Sequence, residues 1–443
     1  MGFPMNLSKK IGVKIPQVLL PNRSIDLTRW AVIACDQFTS QPEYWEQVDA
    51  FVGDAPSTLR MILPEVWLNS PNVQDRIQAT QQAMREYLQV GIFDAHDGFV
   101  LVEREHSSQT QTGLMVALDL ETYDYNKGSQ TLIRATEGTI LDRLPPRMQV
   151  RRGAPLELPH ILVLYDDPQF KVLEKVLEAK TRLPLCYDFE LMFGSGHLQG
   201  RLVVEPELVS SVLSELAALI EPSAFAAKYQ LKEGTPPLLF AMGDGNHSLA
   251  TAKAIWEELK PSVGMDHPAR YALVEIVNLH DPAIIFEAIH RVLFNVQTDF
   301  LQQLENAFAP DIQFICGLTF EQLTKAVLNQ DAHTQRIGCI MGSDLVLIEL
   351  TNPSHNLPVG SLQEYLDKYL ASHPETRIDY VHGDDTMREL SAQPGNIGFF
   401  LPPISKDSFF KTVIVDGALP RKTFSMGHAK DKRFYMECRR ING

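Results

Sequence analysis

Six consecutive residues, Gly243, Asp244, Gly245, Asn246, His247 and Ser248, bring a carboxylate, an imidazole and two flexible backbone positions into one short stretch. Glycine reaches positive φ and lets a ligand come close to the backbone. The apolar run ahead of them reads as a strand over Pro237–Met242. The residues behind them read as a helix over Ser248–Leu259, with Leu249, Ala252, Trp256 and Leu259 on one face. A helix leaving such a turn points its unpaired N–H groups and the positive end of its dipole back at the turn, which suits an anion. Asp244 then offers a catalytic or metal-binding carboxylate and His247 a catalytic or phosphate-holding imidazole. Gly243, Gly245, Asn246 and Ser248 offer groups for phosphates. The competing reading is plain punctuation, because Asp, Asn and Ser are all good helix-capping residues. The turn lacks the Gly-Lys-Ser/Thr ending of a Walker loop, which argues against an ordinary P-loop enzyme.

Three further groups carry charge in suggestive places. Arg134, Thr136, Glu137, Gly138, Thr139, Asp142 and Arg143 follow a strand-like segment, and Arg147, Arg151 and Arg152 continue the cationic run. Glu137 is either a catalytic carboxylate or a capped or salt-bridged surface residue. Arg134 and Arg143 are candidate clamps for phosphate or carboxylate, since guanidinium binds both bidentately; the alternative is a solvated loop. His290 and Arg291, downstream of His280 and Asp281, can approach the turn from a neighbouring strand, or form a structural pair. Arg421 and Lys422 begin a basic patch that runs through His428, Lys430, Lys432 and Arg433, able to close over an anionic ligand or to remain a solvated tail. Asp166 with Asp167, and His382 with Asp384 and Asp385, are metal candidates without a recognised spacing. There is no HExxH, GxSxG or nucleotide-fold GxGxxG, so metalloprotease, α/β-hydrolase and dehydrogenase chemistry lack support.

The elements that must position these groups alternate. Trp30–Ala34 reads as a short buried strand and Val73–Val90 as a surface helix. Phe99–Glu103, Gly113–Leu118, Thr131–Arg134, His160–Tyr165 and Ala272–Val277 read as strands, and Gln169–Lys180 and Val209–Ile220 as helices. Beyond them come helices over Asp299–Ala307, Thr319–Leu328 and Leu362–Leu370, a hairpin of Ile337–Met341 with Leu345–Leu350, and a strand over Ile397–Leu401. Such alternation predicts an α/β or mixed α+β fold. A boundary near residue 298 divides it into a core, 14–298, and a smaller C-terminal α/β portion, 299–443, that closes over the core.

At 443 residues, 44% hydrophobic and 21% charged, the chain has the composition of a globular protein. Its 40 basic against 55 acidic residues give a net charge of −15, which opposes a nucleic-acid partner because such binding rests on neutralising phosphates. Five scattered cysteines read as free thiols of a reducing cytoplasm. Lys9 and Lys10 are followed by no apolar run, and no window approaches a membrane span, so a cytoplasmic protein is expected.

The segment MGDGNHSLATA resembles the DGHHR…TA segment of a large prokaryotic family, domain-of-unknown-function family 1015. RATEGTILDRLPPR with LPHILVLYDDP, NLHDPAIIFEAIHRVL, LPRKTFSMGHAKDKRFY and WAVIACDQFTSQPEYW resemble further segments of that family, in order, from about residue 14 to 435. The family's DGHHR turn is similar to that of ParB and sulfiredoxin folds and of the free-serine kinases built on them. The resemblance therefore implies a ParB/sulfiredoxin-like core, a nucleotide-phosphate site at Asp244, Gly245 and His247, and Glu137 as the assisting carboxylate. Asn246 stands where the motif has its first histidine and Ser248 where it has arginine. That loss removes a phosphate clamp unless Arg134, Arg143 or Arg291 replaces it.

The resulting expectation is a nucleotide-dependent kinase acting on a small hydroxylated metabolite, serine-like or otherwise. It would use a nucleoside triphosphate or diphosphate with Mg²⁺ at Asp244. A non-catalytic nucleotide sensor and a phosphate-ester hydrolase remain the alternatives. The partners expected are that small molecule and the nucleotide, with no membrane, and a homo-oligomer is compatible with the sequence.

Overall fold

The computed structural model describes residues 5–106, 109–296, 299–331, 333–427 and 432–442. His428 and Lys430 of the expected basic patch lie outside the described residues. The chain forms two compact units, Met1–Ile284 together with Gly427–Gly443, and Ile285–Met426.

A ten-stranded mixed sheet organises the first unit. Across it run Leu185–Glu190, His197–Val203, Phe99–His106, Gln109–Asp119, Tyr271–Asn278, Leu162–Tyr165, Phe240–Asp244, Ile133–Arg134 and Tyr123–Asp124, with Val13–Lys14 alongside Gln109–Asp119. Leu162–Tyr165 is buried at every position, the pattern of a strand covered on both faces. It runs parallel to Tyr271–Asn278 on one side and antiparallel to Phe240–Asp244 on the other. One face packs Leu101, Val116 and Val163 against Val212, Leu213, Leu249 and Trp256 of helices Pro206–Ala218 and Asn246–Val263. The other face packs Val100, Val102 and Leu273 against Trp30, Met84, Tyr435 and Met436. Among the described residues no single helix is long and apolar enough to cross a membrane.

Through the middle of this core runs a buried ionic network. Glu275, fully buried, is held by Arg104 at 2.9 Å, Gln111 at 3.2 Å and Arg433. Arg433 also bonds Glu437, which accepts from the Tyr187 hydroxyl at 2.5 Å. Gly113 makes room for it: a Cβ there would stand 2.3 Å from Glu275 Oε1.

The second unit carries a seven-stranded sheet in the order Ile312–Cys316, Asp344–Thr351, Thr334–Met341, Ile397–Phe400, Phe286–Phe294 and Arg377–His382, with Phe424–Met426 on Phe286–Phe294. Val292, Leu323, Val327, Ile340 and Phe400 form its core.

Three departures from the sequence reading have physical causes. Trp30–Ala34 is buried as expected but is not a strand; Leu27–Trp30 is a helical turn, and the backbone after it bonds the C-terminal segment through Ala34 N to Arg433 O and Tyr435 N to Val32 O. The strand into the glycine turn starts at Phe240 and extends to Asp244, because Pro236 and Pro237 have no N–H to give to a ladder. The second unit begins before the expected boundary, since Phe286–Phe294 pairs wholly inside it, and the final residues return to the first unit.

Candidate functional site

Two glycines shape the turn for different reasons. At Gly243 a Cβ would come within 2.7 Å of the Leu162 side chain and 3.1 Å of its carbonyl. Gly245 has φ +75°, and a Cβ there would meet the Ile161 backbone at 3.0 Å. Gly245 is the N-cap of the helix Asn246–Val263, and no side chain caps it. Of the three capping candidates only Asp244 bonds a backbone N–H at the helix start, while the Asn246 and Ser248 side chains bond elsewhere. Asp244 accepts the Gly245 N–H through Oδ1 at 2.9 Å and pairs with Lys432 through Oδ2 at 2.9 Å.

The loop after Arg134 lies along this turn. Thr136 Oγ1 donates to Met242 O at 2.9 Å, and Asn246 Nδ2 donates to Glu137 O at 3.3 Å. The Ile140 N–H donates to His247 Nε2 at 3.4 Å, while Asn246 Oδ1 is buried without a hydrogen-bond partner. Burial pushes the His247 imidazole down to about 4, and Arg147 and Arg143 nearby push the same way. His247 is thus neutral at ordinary pH, with Nε2 as acceptor. Arg147 is itself fixed by Glu65, at 2.8 and 2.5 Å, and donates to Arg143 O at 2.7 Å.

A second imidazole adjoins the turn from the segment just ahead of the strand Leu162–Tyr165. His160 Nε2 lies 3.0 Å from Ser248 Oγ and 3.5 Å from Asp36 Oδ2, and Nδ1 lies 2.7 Å from the Tyr435 hydroxyl. Burial opposes charge on His160, yet Asp36 above all, with Asp244 and Glu65, raises its pKa. Burial likewise opposes charge on Asp36, but His160 and Lys432 outweigh it and hold that carboxyl well below the usual range. The charged pair is the arrangement both directions favour. Beside it opens a cavity of about 140 Å³, walled by aliphatic side chains and edged by Glu65, Arg147, His160 and Ser248.

The structure uses the other candidates differently. Arg134 is buried, and its bonds go to the carbonyls of Thr131, Pro236 and Pro237, so it ties down the strand entry; burial pushes its pKa to about 10. Arg143 is exposed beside His247. His290, Arg291, Arg421 and Lys422 belong to the second unit. Asp166 is engaged by His280 at 2.7 Å, Lys228 at 2.9 Å and Tyr229 at 2.6 Å, and Asp167 accepts the N–H groups of Gln169 and Val172. Among the described residues no three His, Cys, Asp or Glu side chains stand together to hold a metal. Asp36, Glu65, His160 and Tyr435 are neighbours that the sequence reading did not place at the turn, and Lys432 entered only as part of the basic patch. Nothing local links them, as they are separated by up to hundreds of residues.

Residues 19–369 match a family model described as protein of unknown function (DUF1015). No curated protein matches the chain. Among solved structures, a free serine kinase in complex with AMP is similar at 11% identity and a TM-score of 0.38, covering 73% of this chain and 90% of that one. A conserved hypothetical protein from Pyrococcus furiosus is similar at 11% identity and a TM-score of 0.35, covering 74% and 95%. SbnI with C-terminal truncation from Staphylococcus aureus is similar at 11% identity and a TM-score of 0.27, covering 62% and 82%. Overlaps this loose bear on neither substrate nor reaction.

Proposed function

This chain belongs to the DUF1015 family, and from its own glycine turn we propose that it is a nucleotide-dependent kinase that phosphorylates a small hydroxylated metabolite. The observation that carries the reading is the uncapped start of the helix Asn246–Val263, flanked by Lys432 and the exposed Arg143, with the Asp244 carboxylate at its mouth. Uncapped N–H groups and two cations suit the terminal phosphates of a nucleotide. Phosphoryl transfer asks a protein mainly for positioning and charge neutralisation.

In this reading the acceptor hydroxyl oxygen forms a bond to the γ-phosphorus, and the bond from that phosphorus to the bridging oxygen breaks. A phosphate ester and a nucleoside diphosphate leave. Asp244 takes the hydroxyl proton, while Lys432, released from the ion pair, follows the transferred phosphate. Gly245 allows the phosphates to approach, and neutral His247 holds the loop 135–140 against the turn, with Glu137 on that loop. Asn246 and Ser248 complete the polar lining. A Mg²⁺ brought by the nucleotide would have Asp244 as its protein carboxylate and would neutralise phosphate charge when bound; one carboxylate with phosphate oxygens is an ordinary Mg²⁺ donor set.

The test is to measure ATP and ADP affinity with Mg²⁺ by calorimetry and to follow phosphate-ester formation by phosphorus NMR over a panel of small alcohols and hydroxy acids. Nucleotide binding with an acceptor-dependent ester is the expected result. Binding with no ester from any acceptor overturns the kinase, and phosphate release without an acceptor replaces it with a hydrolase.

A further inference from the structure

The cavity beside the turn has a chemistry that the turn does not share. Met61, Leu63, Leu68, Met84, Leu156 and Leu273 supply much of its wall. Its polar lining groups are largely engaged already, Arg147 with Glu65, His160 with Ser248 and Tyr435, and Thr251 with the His247 carbonyl. Glu157 also lines it, but that carboxylate is occupied by Arg151 at 2.6 Å, Arg439 at 2.6 Å and the Leu273 N–H at 2.8 Å. The Cys35 thiol, held neutral by burial, adds no charge.

Size decides what such a space can take. Its volume of about 140 Å³ is close to the apolar cavity of about 150 Å³ known to accept benzene, and well under the roughly 300 Å³ at which pockets for larger ligands begin. A nucleoside does not fit. A purine would also need partners for its ring nitrogens, and the aliphatic wall has none to give. Ser248 belongs to the cavity edge and to the first turn of the helix at once, so a body seated in the cavity carries its polar end to the place where phosphates would sit.

We propose that this cavity receives the apolar body of the phosphoryl acceptor. The acceptor is then a small alcohol with a compact aliphatic or single-ring body, its hydroxyl presented to Ser248 and His160, and not a wholly polar compound such as serine. The inference rests on the kinase reading for the name acceptor, but the cavity's preference for an apolar alcohol stands on its wall alone.

The test titrates the full chain, loaded with ADP and Mg²⁺, with benzyl alcohol, isoamyl alcohol, glycerol and L-serine, using saturation-transfer NMR to obtain affinities. Benzyl and isoamyl alcohol are expected to bind roughly tenfold to hundredfold more tightly than glycerol or serine, which is what burying a leucine-sized body is worth. Leu68→Trp and Val150→Trp fill the cavity from two partly exposed positions, so one failing to fold leaves the other. Each should weaken the apolar alcohols at least about tenfold and leave ADP affinity in place. Equal binding of serine and benzyl alcohol overturns the proposal, as does undiminished binding of the apolar alcohols to a folded filled variant. Should ADP not bind the parent, the kinase reading falls; the alcohol titration, repeated without nucleotide, still decides the cavity.

Discussion

His247 and His290 looked alike in sequence, each an imidazole beside charged residues, and the protein treats them oppositely. His290 lies inside the strand Phe286–Phe294 with both ring nitrogens engaged, one by Asp384 at 3.1 Å and the other by the Leu401 N–H at 3.2 Å, and its ring stacks on Phe400. Arg291 beside it is fully buried and bonds Gln363, the Ile289 carbonyl and the Arg421 carbonyl, while lying over the Tyr380 ring. Arg421 in turn pairs with Asp367 at 2.7 Å. These groups bind the second unit to itself. His247 sits instead at an uncapped helix start, with Asp244, Lys432 and an open cavity close by. Residue type is shared by the two regions. What separates them is what adjoins the engaged groups: a packed strand around His290, and beside His247 a helix start whose N-cap is a glycine with a cavity next to it.

The sharpest way to break this contrast is Asp244→Asn. It keeps an oxygen for the Gly245 N–H, so the fold should hold, yet it removes the proton acceptor. Turnover should fall by about 10²–10⁴ in a phosphorus NMR rate assay. Unchanged turnover would return the turn to a structural role.

Arg291→Met asks the reverse question of the other region. It leaves buried carbonyl and amide oxygens bare, at about 1–3 kcal/mol for each, and denaturant melting should record the loss. Turnover per folded molecule should not change. A variant that melts normally but loses activity would move catalysis toward the second unit.

Gly245→Val strikes the turn's geometry and not its charge. A β-branched residue at φ +75° carries strain of about 1–3 kcal/mol and meets the Ile161 backbone. The strain weakens the fold, while the added side chain obstructs the phosphates; nucleotide affinity should fall at least about tenfold, and calorimetry on the folded fraction checks it. Full affinity would mean that the helix start does not hold phosphates.

The gentlest probe is pH. The folded state refuses a proton at His247 until about pH 4, whereas the unfolded chain takes it near 6.5, so this group lowers stability as pH falls through that window. His247→Gln should remove that part of the slope. His160 has a raised folded pKa, so its contribution is full below the unfolded value and fades as pH rises through the folded one. His160→Gln should therefore lose most in acid and least in alkali. His290, also lowered chiefly by burial, shares the sign of His247, so urea midpoints measured across pH distinguish His160 from both.

The strand, the glycines and the helix were legible in the sequence because they are local. Leu249, Ala252 and Trp256 recur at helical spacing and are all buried, and the helix merely starts two residues earlier than the spacing indicated. Trp30–Ala34 misled because burial alone does not choose between a ladder and an irregular strap. Arg134 was read as a clamp because sequence does not reveal which carbonyls a guanidinium will find. Asp36, His160, Ser248 and Tyr435 share one hydrogen-bonded cluster only after the sheet has formed. No periodicity in a single chain connects them.

The return of residues 432–440 to the first unit also sets an order of assembly during synthesis. The ribosome delivers Glu275 early and Arg433 only after the whole of the intervening second unit. Until then Glu275, at the centre of the first unit, has Arg104 but not Arg433 beside it, and Asp244 lacks its lysine. A chain clipped ahead of residue 432 is thus expected to be less stable, because the buried Glu275 carboxylate loses one of its two cations.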